Sequence, residues 1–247
     1  MKESEYLAIY SAEAVHWWYL GLRELVFDSL RSFSGGKKVK VLDAGCGTGA
    51  SLLQLSKEGY NCCGLDFSGT ALGFCRSRGL KRLVRGSVSE LPFAERSFDA
   101  LISLDVIYHA SVPDDVQALR EFRRVLKKGG ILILNLPAYE FLRSPHDLAN
   151  HTKTRYTKKM LGGRLRAAGF KVERLTYRNT VLFPVVAAIR IAKKLIPGRP
   201  HSHESDLGEV NPLVNRALSG VLSIENRLIK AVSMPFGTSV FCVARRD

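Results

Sequence analysis

The sequence lacks the marks of several protein classes. Its five cysteines, Cys46, Cys62, Cys63, Cys75 and Cys242, form no Cys-x-x-Cys pair and stand at no zinc-ligand spacing from a histidine. That pattern argues against a disulfide framework and against a metal, and leads us to expect reduced, mostly buried thiols in a cytoplasmic protein. No stretch reaches the roughly 18 apolar residues that a membrane-spanning helix needs. The first ten residues carry acidic side chains rather than the apolar core of a signal peptide. No heptad persists, and the 21 glycines and 9 prolines are scattered, which excludes a coiled coil or a collagen-like chain. What remains is globular: hydrophobic residues make up 46% of 247, enough for a sizeable core in one or two domains.

Acidic residues are scarcest between His151 and Pro200, where 13 Lys and Arg face Glu173 alone and account for most of the net charge of +14. Such asymmetry suits an anionic partner, whether nucleic acid, a membrane surface or an anionic substrate, and equally suits a solvated basic face.

Apolar residues at helical spacing run from Leu7 to Leu30 and predict a helix over Glu3–Phe33, ended by Ser34-Gly35-Gly36. Strand and helix patterns then alternate with short connections. Strands are expected at 39–42, 61–65, 82–85, 98–104, 131–136, 170–177 and 238–244. Helices are expected at 51–57, 68–78, 114–126, 158–168, 182–195 and 213–232. This alternation means a mostly parallel sheet with helices on both faces. A linker-like stretch, Pro197–Pro212, divides the last two helices.

Chemistry concentrates in Asp43-Ala44-Gly45-Cys46-Gly47-Thr48-Gly49, where the first strand turns into a helix. Alternate glycines permit a tight turn and let a ligand approach backbone amides. Because no Gly-Lys-Ser/Thr follows, this is not a phosphate-cradling P-loop. Asp43 inside the motif would repel a pyrophosphate and suits a cofactor bearing an ammonium group. Asp66 closes the next strand, where a carboxylate accepts ribose hydroxyls.

With these motifs the sequence resembles the class I S-adenosylmethionine-dependent methyltransferases, closest to the type 11 group. The resemblance rests on several motifs in order. They are Asp43-x-Gly45-x-Gly47-x-Gly49, Gly64-Leu65-Asp66-Phe67-Ser68, Gly86-Ser87-Val88-x-x-Leu91-Pro92-Phe93 with Ser97-Phe98-Asp99, Leu104-Asp105-Val106-Ile107-Tyr108-His109, and Glu121-x-x-Arg124-Val125-Leu126-Lys127-x-Gly129-Gly130. It implies a Rossmann-like, doubly wound α/β fold with a seven-stranded, mostly parallel sheet whose last strand is antiparallel. Four segments are then expected: an N-terminal helical lid over 1–36, a cofactor-binding core over 37–180, a helical insertion or substrate lid over 181–236, and the final core strand over 237–247. The implied cofactor is S-adenosyl-L-methionine, on Asp43, Gly45, Cys46, Gly47, Asp66, Phe67, Ser87, Val88 and Leu104. The family usually carries an acidic residue where Ser87 stands, and often Glu where Tyr108 stands.

The acceptor is expected beyond the cofactor, at the carboxyl ends of the strands. His16-Trp17-Trp18-Tyr19 places Trp18 and Tyr19 ahead of the glycine motif, as a lid or as helix packing, and Arg23 lies within reach of a cofactor carboxylate. Tyr108, Tyr139, His151, Arg155 and Tyr156 are candidate acceptor contacts, with His109 and His146 as candidate catalytic groups. Loop capping is the plainer alternative for the cluster from Tyr139 to Tyr156. Val181–Ile196 is apolar with a basic end. It suits a core or lid helix, peripheral contact with a membrane surface, or a dimer contact. The leading expectation is methyl transfer to a small, apolar or lipid-like molecule. The alternatives are an RNA methyltransferase or RNA-binding protein, against which stands the absence of any recognised RNA-binding motif, and a nicotinamide-dependent oxidoreductase, against which stands Asp43.

Overall fold

In the computed structural model, which describes residues 3–195 and 210–247, strand and helix alternate along the chain. The elements are α1 (Glu3–Ala12), α2 (Trp17–Ser34), β1 (Lys40–Ala44), α3 (Ala50–Lys57), β2 (Asn61–Asp66), α4 (Gly69–Ser77), β3 (Leu83–Arg85) and β4 (Phe98–Leu104). They continue with α5 (Asp115–Val125), β5 (Leu126–Pro137), α6 (Pro145–Ala149), α7 (Lys158–Ala167), β6 (Phe170–Arg178), α8 (Phe183–Leu195), α9 (Pro212–Ala231) and β7 (Ser239–Arg246). The seven strands form one sheet in the order β3-β2-β1-β4-β5-β7-β6. β1 to β5 are parallel, and β7 runs antiparallel to both β5 and β6. The expected fold is therefore the observed one. The expected linker lies mostly outside the described residues.

Each central strand is apolar on both sides because both faces of the sheet are covered. Leu42, Leu101, Leu132, Leu134 and Cys242 face the layer that holds α5 and α7. Their neighbours Val41, Ile102, Ile131, Ile133 and Phe241 face α2, α3 and α9.

Three details depart from the sequence reading. The single N-terminal helix is two, because His16 adopts an extended backbone and its Nδ1 accepts from the Trp18 N–H at 3.3 Å, which starts α2 afresh. β5 begins at Leu126 rather than Ile131, since Leu126 pairs with Phe98 across a bulge. The expected insertion also divides. α9 contributes Leu222 and Ile229 to the core and crosses α2 at Gly21, where an added Cβ would lie 2.6 Å from Leu222 Cδ1. α8 leaves Val185 and Ile189 59% and 50% exposed.

Candidate active site

The carboxyl ends of β1 to β6 meet along one edge of the sheet, and the motif residues gather there. The glycine turn folds back on itself with Gly45 at φ 88° and Gly47 at φ 54°, conformations that L side chains rarely adopt. A Cβ on Gly45 would strike Val106 at 2.2 Å, so the turn after β1 is pressed against the turn after β4. Gly47, in contrast, faces open space. The N–H groups of Gly45 and Cys46 both donate to the Leu65 carbonyl, at 2.7 and 2.9 Å. Asp66 then fastens the loop to α4: its two carboxylate oxygens accept from Gly47 N–H at 2.9 Å and Ser68 N–H at 2.8 Å.

Three carboxylates converge on this turn. Asp43 is buried, and its carboxyl is pushed up to about 7 by burial and by its like-charged neighbours Asp66 and Glu13. Burial also raises Asp66 against its N–H bonds, and raises Glu13. Among the described residues no cation is paired with Asp43; the two arginines at this turn are held by Glu13 and the backbone. Glu13 arrives from the end of α1. Its carboxylate accepts from the Thr48 hydroxyl within the glycine turn and from Arg78 Nη2 at 2.6 Å. Arg23, also buried, donates to the Glu13 carbonyl. Tyr6 on α1 sets its phenol beside Ser68 and Asp66, where burial holds it above its ordinary range. The structure thus lays α1 over the turn.

The other expected cofactor residues line the same edge. Cys46 is buried with its Sγ 3.9 Å from that of Cys75, Val88 is buried, and Leu104 is half-buried at the end of β4. Phe67 is 67% exposed beside Asp66. Ser87 Oγ accepts from the Ser89 N–H at 3.1 Å, so this side chain shapes its own turn.

Past β4 lies a second constellation. Asp105 holds a left-handed backbone, φ 56°, rare outside glycine. Both its carboxylate oxygens accept from the Asn135 amide at 3.1 Å, and its N–H donates to the Asn135 carbonyl at 2.8 Å. Burial pushes its carboxyl up to about 6, while Asn135, Arg178 and Arg155 pull it back. Arg178, at the end of β6, is fully buried with its guanidinium over the Trp18 ring, 5.0 Å from the centroid. Its Nη2 reaches the Trp18 carbonyl at 3.4 Å, while Nε and Nη1 have no partner. Burial lowers it to about 10 even though Glu225, Asp105 and Glu24 favour its charge. The phenols of Tyr19 and Tyr108 lie in the field of Asp105, and burial above all raises both beyond the usual range. Trp18, Tyr19 and Tyr108, all expected at the acceptor, therefore share one place with Asp105.

The remaining candidates divide. Tyr139 stacks on Tyr177 at 4.8 Å and meets Phe183 of α8, forming an aromatic wall. His109 Nδ1 accepts from the Ser111 N–H at 3.0 Å, and its ring meets that of exposed His151 at 5.6 Å. Burial lowers His109, so it is neutral at pH 7. Arg155 is a tie rather than a free contact. It donates to the carbonyls of Ala138 and Tyr139 and to Asp147 Oδ1 at 2.7 Å, in a buried ion pair that knots the loop after β5. Tyr156 lies in the core, with its hydroxyl donating to Asp115 Oδ2 at 2.6 Å, and so faces α5 instead of the cleft. The side chain of His146 lies outside the described residues.

Sequence reading missed Glu13, Tyr6 and Arg178 altogether, and placed Asp105 only within a motif. An acidic residue directly after a mostly apolar strand was the available signal for Asp105. Arg178 looked like one more base among thirteen. Glu13 and Tyr6 gave none, because only the fold brings α1 to the glycine turn.

Comparison with known proteins agrees with this geometry. A family described as a methyltransferase domain matches residues 42–134. An uncharacterized protein of Methanocaldococcus jannaschii is 35% identical over 164 residues, covering 65% of this chain and 68% of its own. A mouse protein named a probable tRNA methyltransferase 9B is 38% identical over 40% of this chain and 22% of its own. A demethylmenaquinone methyltransferase from Mycobacterium sp. is 40% identical over 38% of this chain and 40% of its own. The chain thus spans less than half the length of several curated relatives that it matches. Among solved structures, an S-adenosylmethionine-dependent methyltransferase from Thermotoga maritima superposes with a TM-score of 0.60 at 20% identity, over 99% of this chain and 96% of its own.

Proposed function

Since this chain belongs to the class I S-adenosylmethionine-dependent methyltransferases of type 11, we propose that it methylates a small aromatic or apolar molecule held between β4, β6 and α2. The observation that carries the reading is a trio of carboxylates around an open glycine turn, Asp43 and Glu13 buried and Asp66 half-buried. With Arg78 and Arg23 beside Glu13, Asp43 and Asp66 are left without a paired cation, which disfavours a dinucleotide's pyrophosphate and suits a cofactor that bears an ammonium and a sulfonium. The residues fit S-adenosylmethionine. Asp66 lies where ribose hydroxyls can be accepted, Asp43 supplies negative charge for the ammonium, and Arg23 is at hand for the carboxylate. Phe67 and Val88 offer apolar surface for the base.

When bound, the cofactor supplies an already activated methyl group. The protein's own part is therefore alignment and the exclusion of water. Trp18, Tyr19, Tyr108 and Tyr139 wall the acceptor side. The names of the relatives point both to tRNA and to a quinone, so the choice of acceptor rests on this chain's own side chains. The basic stretch after His151 supports the nucleic-acid alternative less than its charge suggests. Arg155 and Arg164 are tied to Asp147 and Asp115, Arg178 is buried, and Lys158 donates to Ser233 and Met234. These four of the thirteen cations are therefore committed within the fold rather than free to track a phosphate backbone.

Calorimetry with S-adenosylhomocysteine tests the cofactor. The wild-type chain should bind it, and Asp66→Ala should weaken binding by roughly 1.5–3 kcal/mol, the worth of a charge-assisted hydrogen bond. Equal affinity in the two proteins would refute the assignment, as would tight binding of NADH.

A further inference from the structure

We propose that Asp105 is the general base of the reaction and that the acceptor's reactive group is a hydroxyl, so that the enzyme is an O-methyltransferase. This deepens the proposed function and rests on it. Four observations meet at the residue. Asp105 follows the end of β4 in a left-handed backbone, φ 56°, which breaks the strand there. The Asn135 amide clamps both carboxylate oxygens from the side of β5. The next residue, Val106, lies against Gly45, which sets Asp105 beside the cofactor turn. Arg178 is fully buried with two nitrogens lacking partners, and although its charge bears on Asp105, no contact joins the two. A positively charged group left unsatisfied in the interior is costly unless a ligand completes it.

A hydroxyl completes this arrangement better than other nucleophiles. Its oxygen can lie toward Arg178 while its hydrogen points at Asp105. In the transfer the O–H bond breaks and the proton passes to the Asp105 carboxylate. The oxygen's electron pair forms the bond to the methyl carbon as the carbon–sulfur bond breaks, and sulfur keeps that pair. Asp105 then releases its proton to solvent. A carboxylate acceptor would be repelled by Asp105. A thiol ionises without help, and a neutral amine attacks through an electron pair that no base has to uncover, so neither needs Asp105. The charged and titratable groups around Asp105 are Arg178 from β6, Arg155 from the loop after α6, Tyr19 from α2 and Tyr108 beyond β4. Glu24 and Glu225 face Arg178 from behind. Both tyrosines stay protonated, which leaves Asp105 as the acceptor of the proton. Its carboxyl, near 6, is ionised at neutral pH yet basic enough to work.

The test uses methyl-deuterated S-adenosylmethionine and the small-molecule extract of the source organism, with products read by mass spectrometry and NMR. The label should appear on oxygen. Asp105→Asn, which tolerates the same backbone, should cut transfer by about 100-fold or more while S-adenosylhomocysteine affinity stays within about threefold. Transfer by the wild-type chain should rise with pH through about 6 and then level. Carbon-13 NMR of the Asp105 carboxyl gives a readout free of turnover. Asn135→Ala removes the clamp that favours the charged form, so the titration and the midpoint of the rate profile should both move up in pH. Label on nitrogen, sulfur or carbon only, or no label at all while S-adenosylhomocysteine still binds, overturns the proposal. So does Asp105→Asn with nearly full activity. Failure of the wild-type chain to bind S-adenosylhomocysteine instead refutes the cofactor reading.

Discussion

A carboxylate buried among carboxylates makes the protein's stability depend on pH in an unusual direction. The Asp43 carboxyl is raised to about 7, so between the ordinary carboxylate range and 7 the folded chain binds a proton that the unfolded chain has released. Stability therefore falls as pH rises through this window and levels above it. Asp105, near 6, adds to the same slope, whereas His109, lowered by burial, opposes it at the acidic end. Asp43→Asn removes one contributor only. Urea unfolding of the unliganded protein between pH 5 and 8 should show a shallower decline in this variant than in the wild type, and parallel curves would show that Asp43 is not a buried acid. Residues of this kind were partly legible from sequence. Asp43 and Asp66 stand at fixed places in a glycine-rich turn, and the turn's chemistry announces them. Glu13 and Arg178 do not, because their meaning comes from neighbours 35 and 73 positions away, Thr48 and Asp105. Tyr156 misled for a related reason: an aromatic in a polar loop reads like a contact until its hydroxyl is found on Asp115.

Helices and strands were legible because each carries its own period, but the contacts between them were not. The strands β1, β4 and β5 show as largely apolar runs, but Lys127-Lys128-Gly129-Gly130, which reads as a helix stop, is taken up into β5. Nothing local reveals that α9 crosses α2 at Gly21. Two glycine substitutions separate helix propensity from packing. Gly21→Ala gains about 1 kcal/mol of helix propensity but sets a methyl 2.6 Å from Leu222 Cδ1 and 2.9 Å from Leu222 Cβ. Overpacking of this kind costs about 1–3 kcal/mol, so the net effect should be destabilising. Gly73→Ala in α4 meets nothing within 4 Å and should stabilise by up to about 1 kcal/mol. Denaturant midpoints of the two variants should move in opposite directions. A stabilised Gly21→Ala would mean that α2 and α9 do not pack as closely as the structure has them.

At the scale of the whole molecule, the sheet gives the two reactants different supports. The glycine turn, Asp66 and Ser87 hang on β1 to β3, while Asp105, Asn135 and Arg178 come from β4, β5 and β6. α1 belongs with the first group, since its end is tied to the turn through Glu13 and Thr48, and Arg78 reaches the Tyr10 carbonyl at 3.1 Å. α8 touches only the acceptor side, as it packs through Phe183 on Tyr139 and Phe236 and leaves an apolar row outside. Cofactor binding should therefore be felt unequally. Saturating S-adenosylhomocysteine, at 100 times its dissociation constant, stabilises the fold by about 2.7 kcal/mol. Local openings that break contact with the ligand gain up to that much protection, and openings elsewhere gain none. Hydrogen exchange read by mass spectrometry should show slower exchange in α1 and in the turn from Gly45 to Gly49, with α8 unchanged. Glu13→Gln should weaken the effect on α1, because the neutral amide holds Arg78 less firmly, while the turn itself stays protected by direct contact. Equal protection of α1 and α8, or none in α1, would mean that the first helix is packing alone and takes no part in closing the cofactor site.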